Sequence, residues 1–375
     1  MAKHRLLSCI PLVLICAAFS AAAPRNPRLV DLEPNRWLKL HEQSEADAVR
    51  FRRQGHGGSC FDAKRGRLIL FGSDTHGRDW ENSPLAFDPA AERWTRAYPA
   101  DARETYAVSD AGLAVAGTKG DHPWSMHTFG AVVYGPGRDE MVVASYPAHM
   151  VPGRFSNALA GLWPRVRRHP TWTFDFEDGR WRPLEAEPVH FFPFCAAMDT
   201  ERGAVLGHRP DGIYELSGEP RRWKRLTTRV FLDGWHTNCT YDAKEKALVV
   251  FGHNENRNDV EAFWPATGRH RLMPTPGKRP PKDQHTPMAF DPRLGRTVVI
   301  VDRVLDPNEP ERGTRAETWT YDLKADAWTQ IPTATLPHGC AMNYNLEYDP
   351  GHECLLLVTG DYRRPTTVWA LRIEE

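Results

Sequence analysis

The feature that most restricts the fold of this chain is an internal repeat of about 40–50 residues, the period of units that bury their apolar faces only by stacking on copies of themselves. His56–Asp62 (HGGSCFD) followed by Arg67–Gly72 (RLILFG) matches His236–Asp242 (HTNCTYD) followed by Ala247–Gly252 (ALVVFG) in length and pattern. A third copy runs His285–Asp291 (HTPMAFD) to Arg296–Val301 (RTVVIV), and looser copies begin at Met126, Phe191 and Met342. Each reads as an inner strand, a turn at Asp or Gly, and a second strand ending at a small residue.

A third strand follows each hairpin: Leu85–Asp88, Thr171–Asp175, Ile213–Leu216, Val260–Phe263, Thr318–Asp322 and Thr367–Leu371. A fourth has a Trp near its start at Trp94, Trp181, Trp223 and Trp328, with His270 in the same place in the fourth copy. The last copy lacks a fourth strand. Asn35–Leu40 (NRWLKL) is expected to supply it, closing a ring by pairing the two ends of the chain. The expected fold is therefore all-β, a β-propeller of about six four-stranded blades. Thr105–Gly117 is left over, either a degenerate seventh blade or an insertion.

Composition agrees with this reading. The chain has 13 Trp, 31 Pro and 28 Gly, as expected of many short strands joined by tight turns. Lys plus Arg and Asp plus Glu balance at 48 each, so no global field favours nucleic acid or an anionic membrane surface. Recognition by charge has to be local, and a monomer is expected.

The N-terminus carries Lys3, His4 and Arg5, an apolar run from Leu6 to Ala18 and small residues up to Ala23. This reads as a secretory signal over residues 1–23, with a single propeller domain over 24–375 and a secreted or periplasmic location. Beyond the signal remain Cys60, Cys195, Cys239, Cys340 and Cys354, an odd number set mostly in inner strands and expected to be buried thiols. The sequon at Asn238 also falls in such a strand, which argues against glycosylation there.

The small residue after a β-branched strand and the recurring Trp make the chain resemble Kelch and galactose-oxidase-like propellers over nearly its whole mature length. Antiparallel pairing puts the start of each inner strand and the end of each second strand at one rim. That rim is expected to carry His56, His236 and His285 at inner-strand starts, with His127 just outside. Second-strand ends add His76, Tyr146, His149, His208, Arg209, His253, Arg303 and Tyr362. His at an inner-strand start belongs to the repeat; His at second-strand ends does not, and polar groups that differ from blade to blade are what a site looks like.

Two uses of this rim suggest themselves. His208, His236, His253 and His285 could gather around a divalent metal, zinc or manganese. Alternatively, Trp124–Gly130 (WSMHTFG), with His149 22 residues beyond His127, resembles propeller polysaccharide lyases of the ulvan-lyase kind. The resemblance implies β-elimination next to a uronic acid in an anionic polysaccharide or oligosaccharide. Arg209 would then neutralise the carboxylate, and His149, His127 or Tyr146 would act as base. His56, His76, His208, Arg303 and Tyr362 are the expected substrate contacts. The Tyr such lyases carry on the inner strand of the Arg209 blade is missing, since His190–Phe194 reads HFFPF. A non-catalytic propeller that binds a glycan or a protein is the competing reading. Loop aromatics Trp80, Trp124, Trp163 and Trp264 would serve sugar stacking in either case, and the basic run Arg165–His169 could meet an anionic polymer.

Overall fold

The computed structural model describes residues 25–51, 56–73, 79–154, 157–185, 187–252, 258–281, 286–302, 316–333, 336, 344–360 and 365–375. The N-terminal segment read as a signal lies outside them, as do His76, His253, His285, Arg303, Cys340 and Tyr362. Apart from the helical turn Pro27–Val30 and short 3-10 turns, regular structure is β. No helix among the described residues is long and apolar enough to cross a membrane.

Six sheets have four antiparallel strands each. Five of them run in chain order from an inner to an outer strand. The first is Gly58–Asp62, Arg67–Phe71, Leu85–Asp88 and Arg93–Arg96; the second is Val132–Gly135, Glu140–Val143, Trp172–Asp175 and Arg180–Pro183. The third is Cys195–Asp199, Ala204–Arg209, Gly212–Ser217 and Arg222–Thr227; the fourth is Asn238–Asp242, Ala247–Phe251, Val260–Trp264 and Arg269–Met273. The fifth is Met288–Asp291, Arg296–Asp302, Ala316–Asp322 and Ala327–Ile331. The sixth joins Asn345–Asp349, Cys354–Thr359 and Thr367–Leu371 to the N-terminal strand Leu38–Glu42. Each inner strand touches that of the next sheet, and Asn345–Asp349 touches Gly58–Asp62. This all-β arrangement is consistent with a propeller. A seventh sheet, of three short strands (Ala107–Val108, Ala114–Ala116 and His122–Pro123), lies against Arg180–Pro183 of the second sheet and has no strand among the six inner ones.

The repeated Asp has a local cause. Asp199, Asp242, Asp291 and Asp349 are buried at the ends of inner strands, and each Oδ1 accepts two backbone N–H groups from the following turn, as Asp242 does from Lys244 and Glu245. A short carboxylate thus replaces the ladder bonds that the chain gives up on reversing.

The recurring Trp works between sheets. Trp181 of the second sheet leans on Phe174 of its own third strand at 5.1 Å and on Phe71 of the first sheet at 4.8 Å. Trp328 of the fifth sheet does the same with Tyr321 at 4.7 Å and Phe251 of the fourth sheet at 5.1 Å. Each indole therefore wedges into the face of the preceding sheet, covering surface that no single sheet buries alone.

The chain ends are clasped together. Leu38 pairs with Ala370 and Glu42 with Thr367. The strand starts later than Asn35 because Asn35 is a corner, with a left-handed φ of 57°, whose side-chain amide bonds both backbone groups of Glu374. Arg372 donates to the carbonyls of Leu29, Val30, Leu32 and His352, tying the N-terminal segment to the C-terminal strand.

Trp328→Ala is expected to cost about 3–5 kcal/mol, as for a large aromatic removed from a packed core, with Trp328→Phe keeping most of the stability. Urea denaturation of the three proteins reads this; a loss below about 1 kcal/mol in the Ala variant would mean that the inter-sheet wedge carries little of the fold.

Candidate functional site

The segment Ser125–Phe129 crosses the ends of the first two strands of the first sheet and turns at Phe129, whose φ is left-handed at 47°, before the second sheet begins. The inner strand there starts at Val132, not at Met126 as expected. The lacing is dense: the His56 carbonyl accepts the N–H groups of Thr128 and Phe129, both at 3.0 Å, and Thr128 Oγ1 bridges Gly58 N (2.7 Å) and the Phe71 carbonyl (2.7 Å). Ser145 Oγ donates to the His127 carbonyl at 2.6 Å, and just beyond the segment the Gly130 carbonyl accepts Ala196 N at 2.8 Å, which ties it to the first strand of the third sheet.

Three imidazoles stack in this corner. The His127 ring lies 3.5 Å from that of His149, with 28° between planes, and 4.4 Å from that of His56. Phe129 and Phe192 wall the stack, Phe192 edge-on to His149 at 4.9 Å. His127 is fully buried and His149 nearly so, at 6% exposure, whereas His56 and Phe192 are partly exposed. His56 and His236 occupy the same repeat position and both take a left-handed φ, 73° and 68°. That conformation is uncommon outside glycine, with His among the more tolerant residues, so the position is first a corner leading into the inner strand.

Beside the stack, Tyr146 lies between His190 at 4.8 Å and His169 at 5.2 Å. Arg209 Nη1 donates to the His190 carbonyl at 3.2 Å and its Nε pairs with Asp211 at 2.6 Å. Burial pushes the His190 imidazole down to about 3, with His169 and the Arg209 guanidinium adding to the effect. His169 is likewise lowered by burial. Both rings are therefore neutral at physiological pH, and the Nδ1 of each is buried with no hydrogen-bond partner among the described residues. Arg154 lies over the Phe192 ring at 5.6 Å, adding a second guanidinium.

His127, His149, Tyr146, His56 and Arg209, read from the sequence as site residues, thus gather where the first three sheets meet. His169, His190, Phe192 and Arg154 were not singled out as site residues. Their signals were position, in the long connection after His149 and on the stretch where a Tyr was expected, and for His169 its place in the basic run Arg165–His169.

His208 is a correction. Expected at the rim as a substrate contact and metal ligand, it is fully buried, with Nε2 3.3 Å from Glu261 Oε2. It holds the position that Phe71 and Phe251 hold in their sheets, where the next sheet's Trp arrives. Here that Trp is His270, whose Nε2 lies 2.6 Å from Glu261 Oε1. Glu261 also accepts Phe231 N (3.0 Å) and Leu232 N (2.7 Å), so a polar knot replaces the Phe–Trp wedge between the third and fourth sheets. Burial opposes both charges, yet each outweighs it for the other: His208 is raised above its ordinary value by Glu261, and Glu261 falls well below the usual carboxylate range. A metal at His208 would have to break this pair. Of its expected co-ligands, His253 and His285 lie outside the described residues, and among the described residues no group of three or more His, Cys, Asp or Glu is placed to hold a metal ion.

The aromatics also need revision. Trp124 is fully buried, its Nε1 donating to the carbonyls of Ala107 and Val115, so it anchors the three-stranded sheet. Trp264 is capped by Arg269 at 3.5 Å. The basic run docks on the same small sheet: Arg167 and Arg168 N–H groups bond the Gly112 carbonyl, and Arg165 reaches that of Val108. Cys60, Cys195, Cys239 and Cys354 are buried free thiols, as expected. Between the inner strands runs a cavity of about 420 Å³ whose one charged group among the described lining residues is Glu347. Burial raises it to about 7 against the pull of its 2.5 Å bond from Ser59.

Glu261→Gln is expected to destabilise the protein by about 3 kcal/mol, the cost of breaking one side of a buried pair. The raised His208 contributes its full stability below its ordinary 6.5 and loses it as pH climbs through the raised value; the lowered Glu261 contributes fully above 4.5 and loses it as pH falls. The difference from wild type should therefore peak between pH 4.5 and 6.5, and a flat difference from pH 4 to 9 in denaturation curves would show that the two groups are not paired as charges. No family model matches the chain, and a search of curated proteins finds no match.

Proposed function

We propose that the corner where the first three sheets meet is the active site of a secreted or periplasmic lyase that cleaves a uronate-containing polysaccharide by β-elimination. In this reading the six four-stranded sheets are blades of a closed Kelch-type ring, and the three-stranded sheet is an insertion between its first two blades. The observation that carries the reading is the contact of stacked His127 and His149 with an aromatic wall, one residue away from neutral His190 and the Arg209 guanidinium that its carbonyl holds.

The chemistry asks for these groups. A guanidinium on the uronate carboxylate withdraws charge from the adjacent C5 and makes its proton removable; Arg209 is the candidate, with Arg154 across Phe192 as a second. A base takes that proton, the C5–H electrons form the C4=C5 double bond, and the C4–O bond breaks with its electrons on the leaving oxygen, which takes up a proton. In this reading His149 and Tyr146 make the two proton transfers. Fully buried His127 orients His149 through their stack. Phe192 fills the region where such lyases carry a Tyr, so the phenol here would come from Tyr146.

The burial of His127 and His149 favours a second reading, a glycan-binding propeller whose imidazoles only shape the floor of the groove. Incubation with a panel of uronate polysaccharides, following the ultraviolet absorbance of the unsaturated product, separates the two. Lyase action predicts signal on at least one polymer, with His149→Ala lowering kcat at least about 100-fold and Arg209→Ala about 100- to 1000-fold. Binding without product supports the second reading, and wild-type rates in both variants would refute the site.

A further inference from the structure

Trp235 is one of three large apolar side chains that stand exposed among the described residues, at 52%, and the only aromatic one. An indole left in water on a mobile loop would mean little, but this loop is fixed at its base. Phe231 N and Leu232 N are both bonded to the Glu261 carboxylate, Leu232 is fully buried, and Phe231 packs on His270 at 4.9 Å. Three residues beyond this anchored base the loop presents an indole.

It presents it to the candidate site. From Trp235 a row of rings leads inward: His236 at 6.4 Å, then Phe129 at 6.0 Å, then Phe192 at 5.2 Å, and from there His149 at 4.9 Å. Trp235 and the imidazole stack are thus the two ends of one aromatic strip crossing from the fourth sheet to the second. The outer end is flat, apolar and open; the inner end holds the titratable groups.

We infer that Trp235 is a distal subsite on which a pyranose ring of the bound polymer stacks, several sugar units from the residue that reacts. The apolar face of a pyranose, with its axial C–H groups, matches the indole face, and the hydroxyls at its edge remain in water. A protein partner would call for a broader apolar patch around the indole; the neighbouring Asp233 is exposed and charged, and His236 is polar. The inference deepens the glycan reading, rests on it, and assigns the site to a chain rather than to a single sugar.

The test is calorimetric titration of the full chain and of Trp235→Ala and Trp235→Phe with uronate di- and hexasaccharides, and with a neutral hexasaccharide. The expected result is a three- to tenfold weaker Kd for the uronate hexasaccharide in the Ala variant, an aromatic contact of about 0.5–1.5 kcal/mol. Disaccharide binding should be unchanged and the Phe variant should recover most of the loss. Equal hexasaccharide affinity in wild type and Trp235→Ala overturns the subsite while leaving the uronate reading to its own variants. Trp235-dependent binding of the neutral hexasaccharide alone supports the subsite and overturns the uronate reading. No binding of any glycan overturns both.

Discussion

A four-stranded sheet has two faces and cannot bury either by itself, so everything here depends on each sheet being covered by the next. The cover is specific. Trp181 and Trp328 reach from an outer strand onto an aromatic at the end of the previous sheet's second strand, while the buried Asp turns hold the hairpins at fixed length so that these rings meet. The last sheet is complete only because it borrows Leu38–Glu42 from the other end of the chain. The side chains of Asn35 and Arg372, which bind seven backbone groups between them, hold the segment leading into that strand against the C-terminal end.

The candidate site exists where this regularity is interrupted. Between the first and second sheets the chain detours through the three-stranded sheet and returns across the strand ends of the first sheet as Ser125–Phe129, pinned there by Thr128 and Trp124. That detour puts His127 against His56 and His149. Between the third and fourth sheets the wedge becomes the Glu261 knot, and the loop it fixes carries Trp235 and His236 toward the same corner. Two departures from the repeat, on either side of the third sheet, thus supply the inner and outer ends of one strip.

How much of this was legible in the sequence follows from what each residue does. The hairpins, the third strands and the Trp positions were readable because strand period, Asp turns and inter-sheet wedges repeat, and repetition is visible without coordinates. Candidate site residues off the repeat stood out only by breaking the pattern. His127 and His149 were picked that way, although the strand beyond His127 begins later than the repeat suggested. The same logic misled at His208: a polar residue that breaks the pattern can equally be half of a buried pair, and its partner Glu261 lies 53 positions away, invisible to any local argument. Trp124 and Trp235 show the reverse difficulty, since an indole in a loop is either an anchor or a platform, and only burial tells which.

The charge state of His190 links the site's architecture to its chemistry. An imidazole beside Arg209 could share its proton-binding role or stay out of it; burial, the nearby His169 and the guanidinium itself keep this one neutral. Arg209 is then not repelled by His190, and its Nε pairs with the exposed Asp211, a carboxylate that water screens and that also accepts the Tyr214 hydroxyl at 2.7 Å. An anionic sugar docking there would meet a guanidinium whose existing partner is weak and replaceable. The Arg209 side chain is also held by the His190 carbonyl, and that same residue flanks Tyr146. Under the proposed function, a uronate carboxylate would take the place of Asp211 on Arg209, which is what an elimination next to a carboxylate asks of that guanidinium.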